Sequence, residues 1–471
     1  MRIGLVSYEY PPQQGLGGVG TYMFRLAGTL GRAGHEVHVI AGPSDRAPIP
    51  QHNVHLHRIP ARFEIRSENT ALRWLYWQGM ARFMAWMHPL IWHWIKWDLA
   101  VFDALRELDA AHPLDLVECP EHAANGWMAG KLHRWPIVMR MHCPWELFVR
   151  INRFPFNPMH RVLSALERRT ARCYADAVTV PSRAMKNVVD RTWDLRRPPI
   201  VFPNFMDFPE ERHPLPPENG QPHIVCVGRI EPLKGQDTLA QAFALVARKY
   251  PAARLVIVGP DRWPGKRSFA QLLPRLVPDP DIRARIDLPG AVPLEKVSNM
   301  LRAARVAVVS SRGFESFSFA ALESLAAGRP VIATATGALP EIVEHEQTGL
   351  IVPASDPRSM ADAMDRMLSD RTYAERMAAG GFETARARCH TPRVLPQIMS
   401  SYDEATSFFC QVKAARSERT ARSWRDAIDS ARKQLLGEVE QAVDEGPRDD
   451  DHGHGTVHPL RRAARPHLDV A

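Results

Sequence analysis

Residues 306–333 read VAVVSSRGFESFSFAALESLAAGRPVIA, and they carry the clearest structural signal in the chain. An apolar, β-rich run at Val306–Ser310 leads into a turn, a helical segment at Ser318–Ala327 and a second apolar run at Val331–Ala333. A serine at the start of the helical segment and the glycine and proline after it are typical of helix ends. The stretch therefore predicts a strand–helix–strand unit of a parallel sheet covered by helices.

The same alternation extends in both directions from this unit. Other strands of its domain are predicted at 223–227, 254–258, 286–288 and 349–352, with a helix at 236–249. An N-terminal series is predicted at 3–7, 36–40, 114–117, 136–141, 177–180 and 200–202. Because both series alternate strands with helices, the chain is predicted to be an α/β protein with two doubly wound, Rossmann-like domains.

The domain boundaries follow from proline content and from loss of periodicity. The N-terminal domain is predicted at 1–208, the second domain at 223–392, and a Pro-rich linker at 209–222 joins them. Residues 393–445 are predicted to be C-terminal helices, and 446–471 lack apolar periodicity and are predicted to be disordered.

Length and composition limit the classes of protein that remain. The chain has 471 residues, 45% apolar and 24% charged, which is typical of two or three globular domains. No run of 18 apolar residues appears, so we expect a cytoplasmic protein that does not span a membrane. The six cysteines contain no C-x-x-C pair and are expected to be reduced.

The net charge of +8 is carried by the N-terminal part of the chain. Residues 1–200 contain 25 Lys and Arg against 17 Asp and Glu, and the remainder is balanced. The same part contains an insertion, residues 62–101, with six of the twelve tryptophans between 72 and 101. The insertion is interpreted either as a packed helix-turn-helix or as an amphipathic element that contacts an anionic membrane.

A glycine loop precedes the first predicted helix. Residues 15–20 read GLGGVG and satisfy the G-x-G-x-x-G pattern of dinucleotide-binding proteins. Several residues separate these glycines from the first strand, and no acid ends the second strand, so a nicotinamide or flavin site is excluded. The loop remains suited to a close approach of backbone N–H groups to a phosphate.

The second domain places two cations and two acids around one predicted crevice. Arg229 and Lys234 follow a strand, where doubly wound folds bind ligands, and together they predict a diphosphate site. Glu315 lies on the turn before the helix quoted above, and Glu323 lies about one turn inside it. A carboxylate in a mostly apolar helix needs a polar partner, so we expect Glu323 to bind a ligand hydroxyl.

These residues resemble a known family. Glu315 and Glu323 form E-x7-E and, with Arg229, Lys234 and the runs GALPEI at 337–342 and TGLIV at 348–352, the chain resembles glycosyltransferase family 4. The match is dense in the second domain and looser in the first. The resemblance implies a GT-B fold, in which two Rossmann-like domains face each other across a cleft, and a retaining glycosyltransferase activity.

The resemblance also implies roles in the second domain. Arg229 and Lys234 would neutralise the diphosphate of the donor, and Glu323 would hold the ribose hydroxyls. Glu315 would face the donor sugar and act in catalysis, and Val292 would lie near the nucleotide base. Whether Glu315 is a nucleophile, or the leaving phosphate deprotonates the acceptor, stays open.

Backbone groups and the first domain supply the remaining predicted contacts. The backbone N–H groups at the helix start would bind sugar and phosphate oxygens. At this point the chain has Ser318, where many family members have glycine. From the first domain, one histidine would reach the donor sugar and two glycines would close on the diphosphate. These residues are Phe317, Ser318 and Phe319 in the second domain and His142, Gly17 and Gly18 in the first.

The predicted reaction is hexosyl transfer from a nucleotide-diphosphate sugar to an acceptor bound by the N-terminal half. Fixed cations and a helix N-terminus stabilise the departing diphosphate, so no metal or other cofactor is expected. The basic, Trp-rich half suggests a glycan or lipid-linked acceptor of cell-surface polysaccharide or glycolipid biosynthesis, with peripheral contact to the cytoplasmic membrane face.

Three alternatives stay open at the level of sequence. The first is a GT-B relative that acts on the nucleotide-sugar itself, such as an epimerase. The second is a sucrose-type synthase, and the third is a catalytically silent GT-B scaffold. A nucleic-acid partner is not expected, because no recognition module accompanies the surplus charge.

Overall fold

The computed structural model describes residues 1–12, 17–60, 89–151, 153, 158–217, 221–265 and 267–444. The chain divides into two compact units, Met1–Phe409 and Cys410–Ala471. The predicted disordered tail and most of the Trp-rich insertion, including Trp74, Trp77 and Trp86, lie outside the described residues. Of the second unit, the structure describes only the continuation of a long helix.

The first half of the larger unit is built on a parallel sheet. Its strands are β1 Arg2–Ser7, β2 Glu36–Ala41, β3 Val54–Arg58, β4 Leu116–Pro120, β5 Ile137–Arg140, β6 Ala177–Val180 and β7 Ile200–Val201. Within the described residues their order is β3-β2-β1-β4-β5-β6-β7. The chain runs outward from β1 to β3 and then crosses to β4 on the other side of β1. The carboxyl ends of β1 and β4 therefore form the switch point of a doubly wound sheet.

Helices cover this first sheet. They are α1 Gly18–Arg32, α2 Pro89–Ala111, α3 Trp127–Lys131, α4 Trp145–Ile151, α5 Pro158–Cys173 and α6 Arg183–Thr192. The described part of the Trp-rich insertion lies in helix α2, which continues ten residues beyond the predicted end at 101. Trp97 is fully buried in the core of the first domain. This part of the insertion is therefore packed in the core, as the first of the two interpretations predicts. No helix in the described ranges is long and apolar enough to cross a membrane.

The second half repeats the architecture with a smaller parallel sheet. Its strands are β8 His223–Val227, β9 Arg254–Val258, β10 Ile286–Gly290, β11 Ala304–Val309, β12 Val331–Thr334 and β13 Gly349–Val352. Its helices are α7 Gln236–Val246, α8 Phe269–Leu276, α9 Pro280–Arg283, α10 Leu294–Ala303, α11 Phe319–Ala326, α12 Leu339–Ile342, α13 Pro357–Ser369 and α14 Arg371–Cys389. Among the described strands the order is β10-β9-β8-β11-β12-β13. The predicted α/β class with two doubly wound domains is confirmed.

Two hydrophobic layers hold the second sheet between its helices. Phe243 of α7 and Met364 of α13 pack into one layer, whereas Leu322 of α11 and Phe382 of α14 pack into the other. Burying apolar side chains on both faces explains why these strands read as continuous apolar runs. The packing also fixes α11 so that its N-terminus lies beyond the carboxyl end of β11.

The C-terminal helix α15 Thr391–Asp444 is one continuous helix in the described residues, where the sequence predicted several. Val394, Ile398, Tyr402 and Ala405 recur with helical spacing and are buried in the core of the first domain. Helix α14, immediately before it, packs on the second domain. Helix α14 and the first part of α15 therefore connect the two domains, because one packs on the second domain and the other on the first.

A buried polar network anchors α15 to the first sheet. Tyr402 and Tyr22 donate their hydroxyls to the Glu118 carboxylate at 2.6 and 3.1 Å. The fully buried Arg140 guanidinium donates to the Asn204 amide oxygen at 2.9 Å and lies 4.2 Å from the centre of the Phe202 ring. Glu118 lies inside β4, and these hydrogen bonds compensate for the burial of its carboxylate.

We expect Tyr402→Phe to destabilise the protein by about 2 kcal/mol, because a buried carboxylate loses a hydroxyl donor. Tyr250→Phe is the matched control: its hydroxyl also donates to a carboxylate, Asp365, at 2.7 Å, but Tyr250 is only partly buried. Its expected cost is below about 1 kcal/mol. Urea unfolding of both variants gives the two values, and equal costs would show that the Glu118 network does not anchor α15.

Candidate active site

The loop after β8 carries the two predicted phosphate-binding cations. Arg229 lies two residues after the end of β8, and its guanidinium donates to Glu231 at 3.2 Å. Buried Gln236 fixes this loop, because its amide donates to the Arg229 carbonyl at 2.8 Å and its side-chain oxygen accepts from the Glu231 N–H at 3.3 Å. Gln236 was not predicted as a site residue; it positions the backbone of the loop and also lines the small pocket beside Lys234 and Glu315.

Lys234 and Glu315 meet in the crevice of the second domain. The Lys234 ammonium donates to the Glu315 carboxylate at 2.6 Å. The Ser311 hydroxyl donates to the same carboxylate oxygen. Glu315 is buried, with 8% of its surface exposed, so the pair lies in a region of reduced dielectric where its electrostatic interactions are stronger than in water. These two predicted site residues are brought together by the fold.

The Lys234 end of the pair depends on a close backbone approach. Gly235 has φ +65°, and a Cβ there would lie 2.1 Å from the Ser310 carbonyl oxygen. The Ser310 hydroxyl donates to the Lys234 carbonyl at 2.7 Å. The loop carrying Lys234 is therefore held against the end of β11, directly beside Glu315.

The Glu315 backbone is held equally closely. The Ala338 N–H donates to the Glu315 carbonyl at 2.7 Å. Gly337 has φ +54°, and a Cβ on it would lie 2.1 Å from the Glu315 carbonyl oxygen and 2.5 Å from its nitrogen. The GALPEI run thus has a physical role: its glycine lets the chain pass directly over the Glu315 backbone.

We expect Gly337→Ala to displace Glu315 and to lower transfer at least about tenfold, because a side chain cannot share this space with backbone atoms. Gly34→Ala is the control, since Gly34 also has positive φ, +89°, but nothing lies within 4 Å of its Cβ position. The control should lose only about 1–2 kcal/mol of stability and keep full activity. Initial rates and melting curves of both variants test this. Full activity in Gly337→Ala would mean that the position of Glu315 is not critical.

Helix α11 points its N-terminus at the same crevice. Ser318 caps the helix by accepting from the Ala321 N–H at 3.3 Å, and it lines a small pocket with Lys234 and Glu315. Phe317 and Phe319 pack edge to face, with ring centres 6.2 Å apart. The partial positive charge of the helix end therefore faces the Lys234–Glu315 pair.

Glu323 binds a partner that the sequence did not predict. The Arg25 guanidinium, on α1 of the first domain, donates to the Glu323 carboxylate at 2.6 Å and lies 4.6 Å from the centre of the Phe319 ring. Both charged side chains are largely buried. The expected role of Glu323 toward a ribose hydroxyl would require that carboxylate to share or exchange the Arg25 bond.

Other contacts bring the first domain against the Glu315 turn. The Ser182 hydroxyl donates to the Ser316 carbonyl at 2.8 Å, and Phe314 packs on the core of the first domain. The Glu341 carboxylate accepts the backbone N–H groups of Arg183 and Ala184 at 2.9 and 2.6 Å. The turn that carries Glu315 is therefore an interdomain element.

His142 lies on the first-domain side of this region. It follows β5 and is buried, with its ring centre 5.1 Å from that of Tyr22. Burial and then the nearby Arg140 charge hold the pKa of His142 well below its usual range, so the imidazole is neutral. Burial, followed by the Glu121 charge, raises the pKa of the adjacent Cys143. His142 is therefore suited to hydrogen bonding rather than to proton donation.

The remaining predicted residues are Gly17, Gly18 and Val292. Gly17 precedes α1, and its N–H donates to the Glu9 carboxylate at 2.9 Å. Gly18 begins α1, with no atom within 4 Å of its Cβ position, and Val292 follows β10 and packs on the second core. No described group of three or more His, Cys, Asp or Glu residues is arranged to hold a metal ion.

Comparison with known proteins identifies the family. Residues 207–384 match the glycosyl transferases group 1, and residues 17–204 match the glycosyl transferase 4-like domain. The chain belongs to the group 1 glycosyltransferases of the family 4 type, as the resemblance implied.

A curated relative and two solved structures are similar to the chain. The GDP-mannose-dependent alpha-(1-6)-phosphatidylinositol monomannoside mannosyltransferase of Mycobacterium tuberculosis is 33% identical over 174 residues, 36% of this chain and 44% of that protein. The chain thus aligns with less than half the length of this relative. Sucrose-phosphate synthase of Thermosynechococcus elongatus has a TM-score of 0.66 at 22% identity, covering 88% of this chain and 99% of that one. Anabaena HepE in complex with UDP-glucose has a TM-score of 0.62 at 16% identity, covering 86% and 99%. These likenesses confirm the GT-B fold.

Proposed function

We propose that the protein transfers a hexosyl unit from a nucleotide-diphosphate sugar to an acceptor hydroxyl, with retention of anomeric configuration. The observation that carries this proposal is the Lys234–Glu315 pair at the N-terminus of α11, on a turn that contacts the opposite domain. A nucleotide-sugar donor is also consistent with the UDP-glucose named for the structural neighbour.

The charges at the pair match the charges that develop during transfer. Breaking the anomeric C–O bond leaves negative charge on the diphosphate, which Lys234, Arg229 and the α11 N-terminus stabilise. The sugar gains positive charge, which the Glu315 carboxylate stabilises from within a poorly solvated site. Because this chain supplies fixed positive groups for the leaving diphosphate, the proposed reaction uses no metal.

The neutral state of His142 supports a positioning role in this scheme. A neutral imidazole accepts or donates one hydrogen bond without adding charge beside a forming oxocarbenium ion. His142 then orients a donor-sugar hydroxyl, and the proton of the acceptor leaves with the diphosphate or through Glu315. The anomeric configuration of the product distinguishes retention from inversion.

The biological setting follows from the basic first domain and from the relatives. We place the reaction in cell-surface polysaccharide or glycolipid biosynthesis, on the cytoplasmic side, with peripheral contact to an anionic membrane surface. The net charge of +8 and the lipid acceptor named for the mycobacterial relative support this placement. Flotation with liposomes containing anionic lipids tests the membrane contact: active protein that fails to float at low salt would exclude it.

The proposed reaction is tested by incubating the full chain with UDP-, GDP- and ADP-linked glucose, mannose and N-acetylglucosamine, with and without a mixture of glycoside acceptors. Acceptor-dependent release of nucleoside diphosphate, with an α-linked product from an α-linked donor by NMR, is the expected result. Inversion at C2 without an acceptor would identify an epimerase. No turnover by folded protein would favour a silent scaffold.

A further inference from the structure

The charged side chains predicted to bind the donor are paired with other residues of the chain. Arg229 and Lys234 both pair with acids of their own, second domain. Glu323 differs from them, because its partner, Arg25, belongs to helix α1 of the first domain. Arg25 has no role in the proposed reaction, so its contact with Glu323 needs a separate explanation.

The Arg25 side chain covers the first turn of α11. Its guanidinium donates to the Glu323 carboxylate at 2.6 Å and lies 4.6 Å from the centre of the Phe319 ring. The Arg25 and Glu323 side chains are only 16% and 14% exposed. Because Phe319 and Glu323 are both predicted donor-binding residues, Arg25 lies where the donor is expected.

The crevice beside α11 has little free space. The pocket lined by Lys234, Glu315, Ser318 and Ala320 has a volume of about 20 Å³. This is about the space that one water molecule needs, whereas sites for small-molecule ligands measure about 300–1,000 Å³. Binding of a nucleotide-sugar therefore requires that protein groups at the crevice be displaced.

The Arg25–Glu323 pair is suited to exchange, because the guanidinium is only partly satisfied. Of its two terminal nitrogens, Nη2 donates to Glu323, whereas Nη1 is buried and has no hydrogen-bond partner among the described residues. A pair with two parallel hydrogen bonds would be stronger, and an unsatisfied buried donor costs free energy. Two neighbouring ligand hydroxyls could give the carboxylate two hydrogen bonds in place of the one from Nη2.

We propose that Arg25 is an internal competitor of the donor, which holds the Glu323 carboxylate until the ribose hydroxyls of a nucleotide replace it. This inference rests on the proposed transferase function and on the expected role of Glu323, and it names a regulation of that same site. Helix α1 is anchored in the first core by Tyr22 and Leu26. Arg25 therefore leaves Glu323 by swinging its own side chain or by moving with the first domain.

The test compares wild-type protein with Arg25→Met, which keeps the apolar stem but removes the cation. Calorimetric titration of the full chain uses UDP, GDP and ADP and their 2′,3′-dideoxy forms. The nucleotide that binds should bind about tenfold more tightly to Arg25→Met, because Glu323 no longer has to release a charged partner. The gain should disappear with the dideoxy form, which has no ribose hydroxyls to offer to Glu323.

Thermal melting separates competition from a purely structural role of Arg25. Without nucleotide, Arg25→Met should melt below the wild type, because a largely buried carboxylate loses its partner. The rise in Tm on adding the nucleotide should then be larger than in the wild type, since the ligand restores a partner. A residue that only stabilises the fold would lower the Tm without increasing that rise.

Arg32→Met is the matched control, because it removes the same charge from the same helix. Arg32 pairs with Asp207 at 3.1 Å, and more than half of each side chain is exposed. Nucleotide affinity should be unchanged in this variant. Arg25→Lys is a second variant in case Arg25→Met does not fold. Lysine keeps the charge but lacks the planar fork, so it should tighten binding about two- to threefold.

Unchanged or weaker nucleotide binding in the folded Arg25 variants would overturn the proposal. A gain that persists with the dideoxy nucleotide would also overturn it, because Arg25 would then compete with another part of the ligand. If wild-type protein turns over a nucleotide-sugar while the Arg25 variants bind no more tightly, only the competition by Arg25 is wrong. If neither wild-type protein nor any variant binds a nucleotide, the transferase function itself is wrong.

Discussion

Glu315→Gln should lower kcat at least about 10³-fold, because the neutral amide cannot stabilise the positive charge that forms on the donor sugar. The amide keeps the shape of the side chain and can still accept from Ser311 or Lys234, so the fold should be retained. Nucleotide binding should change much less than kcat, since Glu315 acts on the sugar and not on the diphosphate. Rates under saturating donor, with nucleotide affinity by calorimetry, separate the two effects.

The control for this variant is Glu346→Gln, which removes an equivalent charge from the same domain. Glu346 pairs with Arg366, and both side chains are about half exposed. An exposed pair contributes at most about 1 kcal/mol, so this variant should be fully active. Turnover by Glu315→Gln within tenfold of the control would show that the carboxylate is not part of the catalytic site.

Lys234→Met should weaken binding of the nucleoside diphosphate about 10- to 100-fold, because the substitution removes the ammonium group and with it one charge-assisted hydrogen bond to phosphate in a partly buried site. The methionine keeps the length and the apolar stem of the side chain. The variant also leaves Glu315 without its cation, so kcat should fall as well. Calorimetric titration with the nucleotide that stabilises the wild type measures the first effect.

Lys249→Met is the matched control for that charge change. Lys249 binds Asp365 at 2.7 Å, and its side chain is 60% exposed. Its removal lowers the net charge equally without altering the crevice, so nucleotide affinity should be unchanged at moderate salt. Equal weakening in both lysine variants would mean that long-range charge, and not contact with Lys234, drives binding.

The sequence was most informative where local and long-range signals agree. The run at 306–333 combines β-branched strands, a serine cap and a helix stop, and the structure places β11, α11 and β12 there. By contrast, β3 was missed because its sequence, VHLHR, has no apolar run. The parallel hydrogen bonding of β3 to β2 holds these residues in a strand, although their own sequence does not predict one.

The candidate site was predicted in part, for a similar reason. Lys234 and Glu315 lie 81 positions apart, yet each follows a parallel strand, so their meeting at one sheet edge could be anticipated. The Arg25–Glu323 contact spans 298 positions and two domains, and no periodicity or spacing reports it.

The central claim is that the crevice at Lys234 binds a nucleotide-sugar, and thermal melting with nucleotides tests it most directly. Wild-type protein, Lys234→Met and Lys249→Met are melted with UDP, GDP, ADP, their hexose conjugates and NAD. We predict that one nucleotide family raises the Tm of the wild type and of Lys249→Met, because a ligand of the native state stabilises it, and that the rise is lost in Lys234→Met. No rise with any nucleotide, or an equal rise in Lys234→Met, would contradict the claim.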